Sequence, residues 1–595
     1  MINRVHVEYF KRFRDETFEF TDAIVIAGPN NAGKSTLLQA VAVWGFAVQR
    51  WMQERGTRTS RARQRTGIPV SRRDFSAVPL RDMNLLWWNR DTAYSRAERP
   101  GTKPGEPKLV RVTASGIDSR GVPWDIGVSI RYTSREQVYI KLVDASGAPV
   151  TDVPLGATEM QVVHVPPFSG IGPDEPFYDP GYQNLLIGQG KPGDILRNLL
   201  LEVARDSNAW KRLVADVSAI FQVELLPPNY TPGADPFIRV EYREATTRTA
   251  RDTLDIASAG SGFHQVLALL AFFYARPAAM LLLDEPDAHQ HVVLQRQVYD
   301  RLREVARLRG CQLLVATHSE VILDGTDAHD VLSMYGGPHR LKFDSDRDQV
   351  REALRRLTTL DALSAESGLN VLYVEDESDF RLLAAFARVL KHPAETQFRV
   401  PFYTALRGRR PSEAKAHFFA AKAVRKDIKG VVLLDGDNRN EPDHEIRADG
   451  LTVLRWRRYE VESYLLHPAA LLRYIEGPEN PTLWGIASRQ RAEQYIDNEL
   501  PKVVLADPLG DHPFLQSEAA SKTFLPALFE SAGVALRKAD YYLVALNMHA
   551  DEVPTEVAEK LDAIVESLSL PPDAAPMFPP TAPPVPAVAD ATPDS

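Results

Sequence analysis

The sequence predicts an α/β fold arranged in two domains, and three observations lead to it. Short runs that are apolar at nearly every position, at 23–27, 280–283, 313–316, 371–374 and 431–434, alternate with longer stretches of helical periodicity. Each run stops at Gly, Asp, Glu or Thr and gives way to a polar turn. The first three runs end in one kind of chemistry and the last two in another. Runs apolar on both faces suit central strands of a parallel sheet, which is covered on each side. Ligands gather at the carboxyl ends of such strands, where the polar residues of this chain sit.

The segment 346–366, charged and then helical, separates the two groups of runs and sets a boundary near 350–368. The expected domains are therefore 1–350 and 366–550. Helical periodicity over 182–228 interrupts the strands of the first, so an inserted helical or dimerising element is expected at about 180–230. Prolines and small residues dominate 571–595 and cannot build a core, which predicts a disordered tail.

Composition narrows the classes further. With 44% hydrophobic and 25% charged residues over 595 positions, the chain is neither fibrous nor disordered throughout. A net charge of -9 excludes binding to nucleic acid by bulk positive charge, so any such contact must come from local basic patches. Cys311 is the only cysteine, which excludes a disulfide within the chain and argues against a cysteine-based zinc site. The first residues lack an apolar signal core, and the most apolar window, 266–274, stops before Arg276, short of the roughly twenty residues a membrane span needs. A soluble, cytoplasmic protein with no membrane partner is expected.

The run 23–27 leads into Gly28-Pro29-Asn30-Asn31-Ala32-Gly33-Lys34-Ser35, which fits GxxxxGK[ST] with a strand before it and a helix after it. Glycines let backbone N–H groups wrap phosphate oxygens, and the helix N-terminus adds partial positive charge. Lys34 is expected to reach the β- and γ-phosphates and Ser35 to ligate Mg²⁺, with Asn30, Gly33 and Thr36 completing the ATP contacts. The run 280–283 delivers Asp284 to the same Mg²⁺ and Glu285 beside it to polarise water. His318 follows the run 313–316, where a group sensing the γ-phosphate is expected.

One helix before Asp284 stands Ser258-Ala259-Gly260-Ser261-Gly262-Phe263-His264-Gln265, which looks like a degenerate ABC-type signature. P-loop, signature, paired acids and switch histidine, in that order, resemble the ABC-type ATPases that include RecF, SMC and OLD proteins. The resemblance implies two heads sandwiching ATP head to tail, with Ser261 and Gly262 contacting nucleotide on the opposite P-loop. No apolar span or long heptad repeat accompanies these motifs, which argues against a transporter and against a cohesin-like role.

In the second half, 371–374 ends in Glu375 and continues through Asp376-Glu377-Ser378-Asp379 into a helix. The run 431–434 ends in Asp435-Gly436-Asp437. Carboxylates crowded at two strand ends repel one another unless cations neutralise them, and hard oxygen ligands suit Mg²⁺ or Mn²⁺ rather than zinc. This pattern resembles the TOPRIM domain, a Rossmann-like fold of topoisomerases, primases and OLD nucleases, although the family carries Gly where this chain has Asp376. Arg457-Arg458-Tyr459-Glu460-Val461-Glu462-Ser463-Tyr464-Leu465 is similar to an OLD segment and implies Glu462 as a further metal ligand. The resemblance implies that a lysine, here Lys522, stabilises the charged transition state.

An ABC-type P-loop ATPase with a helical insertion, followed by TOPRIM, is the OLD (overcoming lysogenisation defect) arrangement, shared by the Gabija endonuclease subunit. It implies an ATP-regulated endonuclease acting in anti-phage defence or DNA processing. Glu375, Asp379, Asp435, Asp437 and Glu462 would hold its metals, and Glu375 and Asp435 would serve catalysis directly. It also implies a homodimer or larger assembly and leaves room for a second defence subunit. Arg50, Arg55, Arg58, Arg61, Arg63, Arg65, Arg72, Arg73 and Arg81, with Trp51, Trp87 and Trp88 nearby, and the arginines at 407, 409 and 410, are the candidate phosphate contacts. DNA is placed ahead of RNA as the substrate. Two alternatives stay open: an effector cutting RNA such as tRNA, as in PARIS-like systems, and an ATP-dependent DNA sensor or scaffold without nuclease activity.

Overall fold

The computed structural model describes residues 1–56, 67–95, 103–150, 152–168, 170–244, 253–276, 278–288, 290–399, 402–406, 411–437, 446–448, 450–477 and 483–568. The tail 571–595, Arg58, Arg61, Arg63, Arg65 and the arginines at 407, 409 and 410 lie outside the described residues. The chain divides into two units, Met1–Arg355 and Arg356–Ser595, at the end of helix Asp344–Arg356.

In the first unit, six strands run in the order His339–Arg340, Val331–Ser333, Ala23–Ala27, Gln312–Thr317, Met280–Asp284 and Val162–Val165. All are parallel except His339–Arg340 at one edge. Ala23–Ala27 and Met280–Asp284 are not paired, because Gln312–Thr317 lies between them. Its register sets Thr317 beside Ala27 and Ala316 beside Asp284. The loop after Ala27, the acids after Leu283 and His318 therefore leave the sheet at one end, that of the strand carboxyl termini.

A second sheet of this unit is antiparallel throughout, in the order Phe13–Glu19, Ile2–Phe10, Val110–Ile117, Pro123–Ser134, Gln137–Val143 and Ile68–Ser71. Its strand Ile2–Phe10 alternates over residues 4–8: Val5 and Val7 are buried while His6 and Glu8 are less so. Helix Lys34–Arg55 packs against strands of both sheets, and Leu37, Leu38, Val41, Trp44, Val48 and Trp51 are all buried. This explains a helix apolar around most of its circumference. Trp44 stacks on Trp124 and donates from Nε1 to the Ile126 carbonyl at 3.0 Å. Trp51 and Trp87 belong to this core, each 1% exposed, so neither is free to stack on a nucleic-acid base.

Helices Pro180–Gly188, Leu196–Ala204 and Ser207–Phe221 occupy the segment read as an insertion, and the last two pack on helix Ser261–Ala275. Buried Glu175 closes the start of Leu196–Ala204 by accepting from the backbone N–H groups of Arg197 and Asn198. Arg197 also donates to Asp255 at 2.8 Å, which ties the insertion to the segment before Ser261.

In the second unit, five strands run in the order Tyr403–Ala405, Val371–Val374, Gly430–Leu434, Leu451–Arg455 and Ile446–Ala448. The first four are parallel and the last is antiparallel. Helix Glu377–Val389 leaves the end of Val371–Val374. Helices Pro468–Glu476, Phe524–Ala532, Tyr542–Leu546 and Thr555–Ser567 contribute to the same core as the sheet.

Candidate functional site

The Gly28–Ser35 loop is shaped by two close approaches. Gly33 has φ 104, and a Cβ there would come within 2.8 Å of the Phe13 ring. A Cβ on Gly28 would come within 2.7 Å of Met334. Both positions need glycine for steric reasons, and at Gly33 the left-handed backbone adds to that need. Among the described residues no side chain caps the helix that begins at Lys34, which suits its first N–H groups to an anion.

Lys34 is 5% exposed, and its ammonium donates to the carbonyls of Gly28 at 2.9 Å and Pro29 at 3.0 Å. It also lies 2.7 Å from His318 Nε2. Burial lowers the Lys34 ammonium to about 8 against the opposing pull of Glu285, Asp284 and Asp287. Burial likewise holds His318 down at about 4, helped by the Lys34 charge, so at neutral pH its ring accepts rather than repels. Ser35 Oγ donates to Asp284 Oδ1 at 2.9 Å, and burial pushes that carboxyl up to about 6. A hydroxyl and a desolvated carboxylate in contact form the donor set that Mg²⁺ beside a nucleotide requires. Thr36 is half-buried on the first turn and Asn30 is exposed on the loop.

Glu285 sits immediately beyond the strand with φ 51, a left-handed conformation rare for a glutamate. Its N–H donates to the Ala316 carbonyl at 2.9 Å, its carbonyl accepts from Gln265 Nε2 at 3.1 Å, and its carboxylate lies 3.6 Å from His318 Nε2. Ser261 and Gly262 open helix Ser261–Ala275; Ser261 is exposed, and the helix N-terminus has no side-chain cap. Two polar residues not assigned from sequence complete the floor of the site: Thr317 donates to Asp287 at 2.6 Å.

In the second unit, Glu375 and Asp435 follow neighbouring parallel strands, and the Asp435 N–H donates to Glu375 Oε1 at 3.1 Å. Burial pushes the Asp435 carboxyl up to about 9, with Glu375, Asp379, Glu462 and Glu460 adding repulsion. Asp379 is buried and pushed to about 6; its carboxylate accepts from the Asp376 N–H at 2.9 Å and so caps helix Glu377–Val389. Asp437 follows Gly436, where a Cβ would land on the Arg458 carbonyl oxygen. Glycine at that position lets the Asp435–Asp437 turn press against the segment that bears Glu462.

Glu462, 1% exposed, lies in the turn Val461–Leu465, and burial pushes it up to about 7. Buried Arg458 holds the turn by donating to the Ser463 carbonyl at 3.0 Å and stacking over Tyr464. A cation beside these acids is Lys538, 3.1 Å from Glu462 Oε1; Arg455 donates from Nε to the Asp435 carbonyl at 3.3 Å. Burial works to lower the Lys538 ammonium, but Glu462, Asp379 and Glu460 together hold it above its usual value. Lys522, the lysine expected there, is exposed; the bond described for it is that of its backbone N–H to the Ala519 carbonyl.

The donor chemistry at Asp435 fits a hard divalent cation: its carboxylate is buried, and the neighbouring acids repel its ionised form. The acids are coupled rather than converged. Among the described residues the trio whose ligand atoms all lie within 4.8 Å of one another is a different one, His6, Glu8 and Asp15 on the outer face of the antiparallel sheet. Of the basic run in the first unit, Arg50 pairs with Glu54, Arg72 pairs with Glu136, and Arg55 lies over Trp51. Arg73 and Arg81 are exposed, and Trp88, half-buried, lies under Arg14.

Two stretches of the first unit match models of AAA-type ATPases. Residues 4–65 match one described as "AAA domain". Residues 178–324 match one described as "AAA domain, putative AbiEii toxin, Type IV TA system". The first unit is an α/β P-loop ATPase fold. The first match takes in Lys34 and Ser35; the second takes in Ser261, Asp284, Glu285 and His318. Comparison with curated proteins gives no match. Solved structures similar to the chain include an SMC head bound to the C-terminal winged-helix domain of ScpA, at 16% identity and TM-score 0.33, covering 58% of this chain and 98% of that one. Another is the SMC head domain from Thermotoga maritima, at 14% identity and TM-score 0.32, covering 57% and 99%. Among the described residues, no helix is long and apolar enough to cross a membrane.

Proposed function

We propose that the chain is an OLD-like enzyme: it hydrolyses ATP in its first unit and cleaves DNA with divalent cations in its second, in anti-phage defence or DNA processing. The observation that carries the nuclease reading is the Glu375–Asp435 contact at the ends of two adjacent parallel strands, with buried Asp379 and Glu462 close enough to repel Asp435. Buried carboxylates that repel one another are unfavourable for a fold and useful to a metal enzyme. Glu375, Asp379, Asp435, Asp437 and Glu462 would hold Mg²⁺ or Mn²⁺, which would supply Lewis acidity and an ionised water. Lys538, fixed by Glu462 and partly exposed, offers a positive charge to a phosphodiester, the role expected of Lys522.

In the first unit, Ser35 and Asp284 would share Mg²⁺, Lys34 would leave the loop carbonyls for the ATP phosphates, and Glu285 would orient water. His318, neutral and beside both Lys34 and Glu285, is placed to accept a hydrogen bond or to present one to phosphate. The exposed, uncapped start of helix Ser261–Ala275 supports a head-to-tail dimer in which Ser261 and Gly262 meet the partner's nucleotide. Incubating the purified chain with plasmid, linear DNA and tRNA, with Mg²⁺ or Mn²⁺, tests this reading. DNA cleavage that chelation stops supports it. Cleavage of tRNA alone replaces DNA by RNA as the substrate, and binding without cleavage leaves a DNA sensor or scaffold.

A further inference from the structure

Helix Ser261–Ala275 begins with the signature residues and, one turn later, presents Gln265 to the interior, where it is 2% exposed. Its Nε2 donates to the carbonyl of Glu285 at 3.1 Å, while its Oε1 is buried without a hydrogen-bond partner among the described residues. A glutamine with one buried amide atom unsatisfied is unfavourable compared with leucine of similar size, unless the other atom does something leucine cannot. What that atom holds is the backbone of a residue in the left-handed region, Glu285 with φ 51. A non-glycine residue keeps such a conformation only when its surroundings impose it. For Glu285 the imposing bonds come from two sides: the Ala316 carbonyl takes its N–H, and Gln265 takes its carbonyl.

The neighbouring residue locks the signature from the same turn. His264, also buried, bonds through Nε2 to the Ile256 carbonyl at 2.6 Å. Asp255, one residue earlier, is the partner of Arg197. Signature loop, first helical turn and Glu285 backbone are thus joined by consecutive side chains of one helix.

We propose that Gln265 is a positioning residue: it fixes the backbone of Glu285, aims its carboxylate, and so links the signature helix to the hydrolytic acid of the same protomer. The inference rests on the reading of the first unit as an ATPase with Glu285 as its acid. Movement of the Ser261 end of the helix on meeting a partner's nucleotide would reach Glu285 through this one amide. ATP binding, which depends on Lys34 and the Gly28–Ser35 loop, does not involve Gln265.

Gln265→Leu keeps the volume, removes the orphaned oxygen and deletes the bond to Glu285; Gln265→Asn keeps an amide too short to reach. Dissociation constants for a fluorescent ATP analogue, kcat and KM for ATP, and Tm are measured on the full chain. The same measurements are made on Glu285→Gln and on the double variant Gln265→Leu/Glu285→Gln. The expected result is a kcat lower by about ten- to a hundred-fold in both Gln265 variants, with analogue affinity and Tm near parental and no further loss in the double variant. Parental kcat in Gln265→Leu, with Glu285→Gln inactive, would overturn the inference and leave the ATPase reading standing. So would a loss of analogue affinity as large as the loss of kcat, since that is the mark of damaged packing. Parental turnover in Glu285→Gln would instead remove the reading on which the inference rests, and the inference with it.

Discussion

Ser35 Oγ donates to Asp284 Oδ1 at 2.9 Å across 249 positions of sequence, with the whole of strand Gln312–Thr317 between the two strands that deliver them. The contact exists because the phosphate loop and the acidic strand leave one sheet at the same carboxyl end, separated by a single strand that leads into His318. Each residue at this end has its own part in the expected chemistry, so substitutions should separate binding from turnover.

Lys34→Ala should abolish ATP binding, because it removes the buried ammonium at the mouth of the loop. Glu285→Gln should keep binding and reduce turnover by several orders of magnitude, because it removes a carboxylate from the water rather than from the phosphates. Titration of a fluorescent ATP analogue and a phosphate-release assay on both variants separate the two. Equal loss of binding in both would contradict the division of labour.

ATP should bring two first units together. Ser261 is exposed at an uncapped helix start, and in the head-to-tail arrangement its phosphate belongs to a partner. Native mass spectrometry of Glu285→Gln with and without ATP should show a dimer or larger assembly in the presence of nucleotide. A monomer in both states would contradict the arrangement.

Lys538→Ala should lower nucleic-acid cleavage on the order of a hundred-fold while sparing ATP hydrolysis, because Lys538 is the cation that touches Glu462. Lys522→Ala should change stability by no more than about 0.5 kcal/mol, as exposed positions do, and should leave cleavage near parental. Cleavage assays on the two variants side by side decide between them; the reverse pattern would return the role to Lys522.

Stability of the first unit should fall as pH drops from about 6.5 toward 4, and His164 should cause part of the fall. Burial, helped by the Lys11 charge, holds its imidazole down at about 4, and its Nε2 is enclosed without a partner among the described residues. Between the unfolded value near 6.5 and the folded value the unfolded chain takes up a proton that the folded chain refuses. The contribution is therefore fully present above 6.5 and is lost as pH falls, by at most about 3 kcal/mol. Urea denaturation at pH 7.5 and pH 5 should show a smaller pH effect in His164→Leu than in the parent; an equal effect would exclude His164 as its source.

Much of the first sheet is legible in the sequence because its central strands are apolar on both faces and end in residues with obvious chemistry, as at Ala27–Gly28 and Leu283–Asp284. The antiparallel sheet is not legible in the same way. Ile2–Phe10 intersperses buried Val5 and Val7 with the polar Arg4, His6 and Glu8, so it lacks the uninterrupted apolar run that marks a buried strand. Trp51 and Trp87 read as companions of an arginine-rich surface but are core residues, because sequence proximity to arginine says nothing about the face a tryptophan takes. At the second site, Glu375 and Asp435 are announced by their strands. Lys538 lies in the short turn Lys538–Asp540, with no periodicity or motif to mark it, and only tertiary packing brings it to Glu462. Gln265 was legible as part of the signature segment, but its bond to Glu285 depends on how a helix and a strand end pack together.

A nuclease in the second unit should act separately from the ATPase in the first. The direct test is cleavage of plasmid DNA with Mg²⁺ or Mn²⁺ by the parent, Glu375→Ala and Asp435→Ala, with ATP hydrolysis recorded on the same preparations. Removing either carboxylate takes away charge needed to hold a cation and misplaces the water it would ionise. The predicted result is cleavage reduced by several orders of magnitude in both variants, with ATP hydrolysis close to parental. Cleavage at the parental rate in both variants would contradict the account.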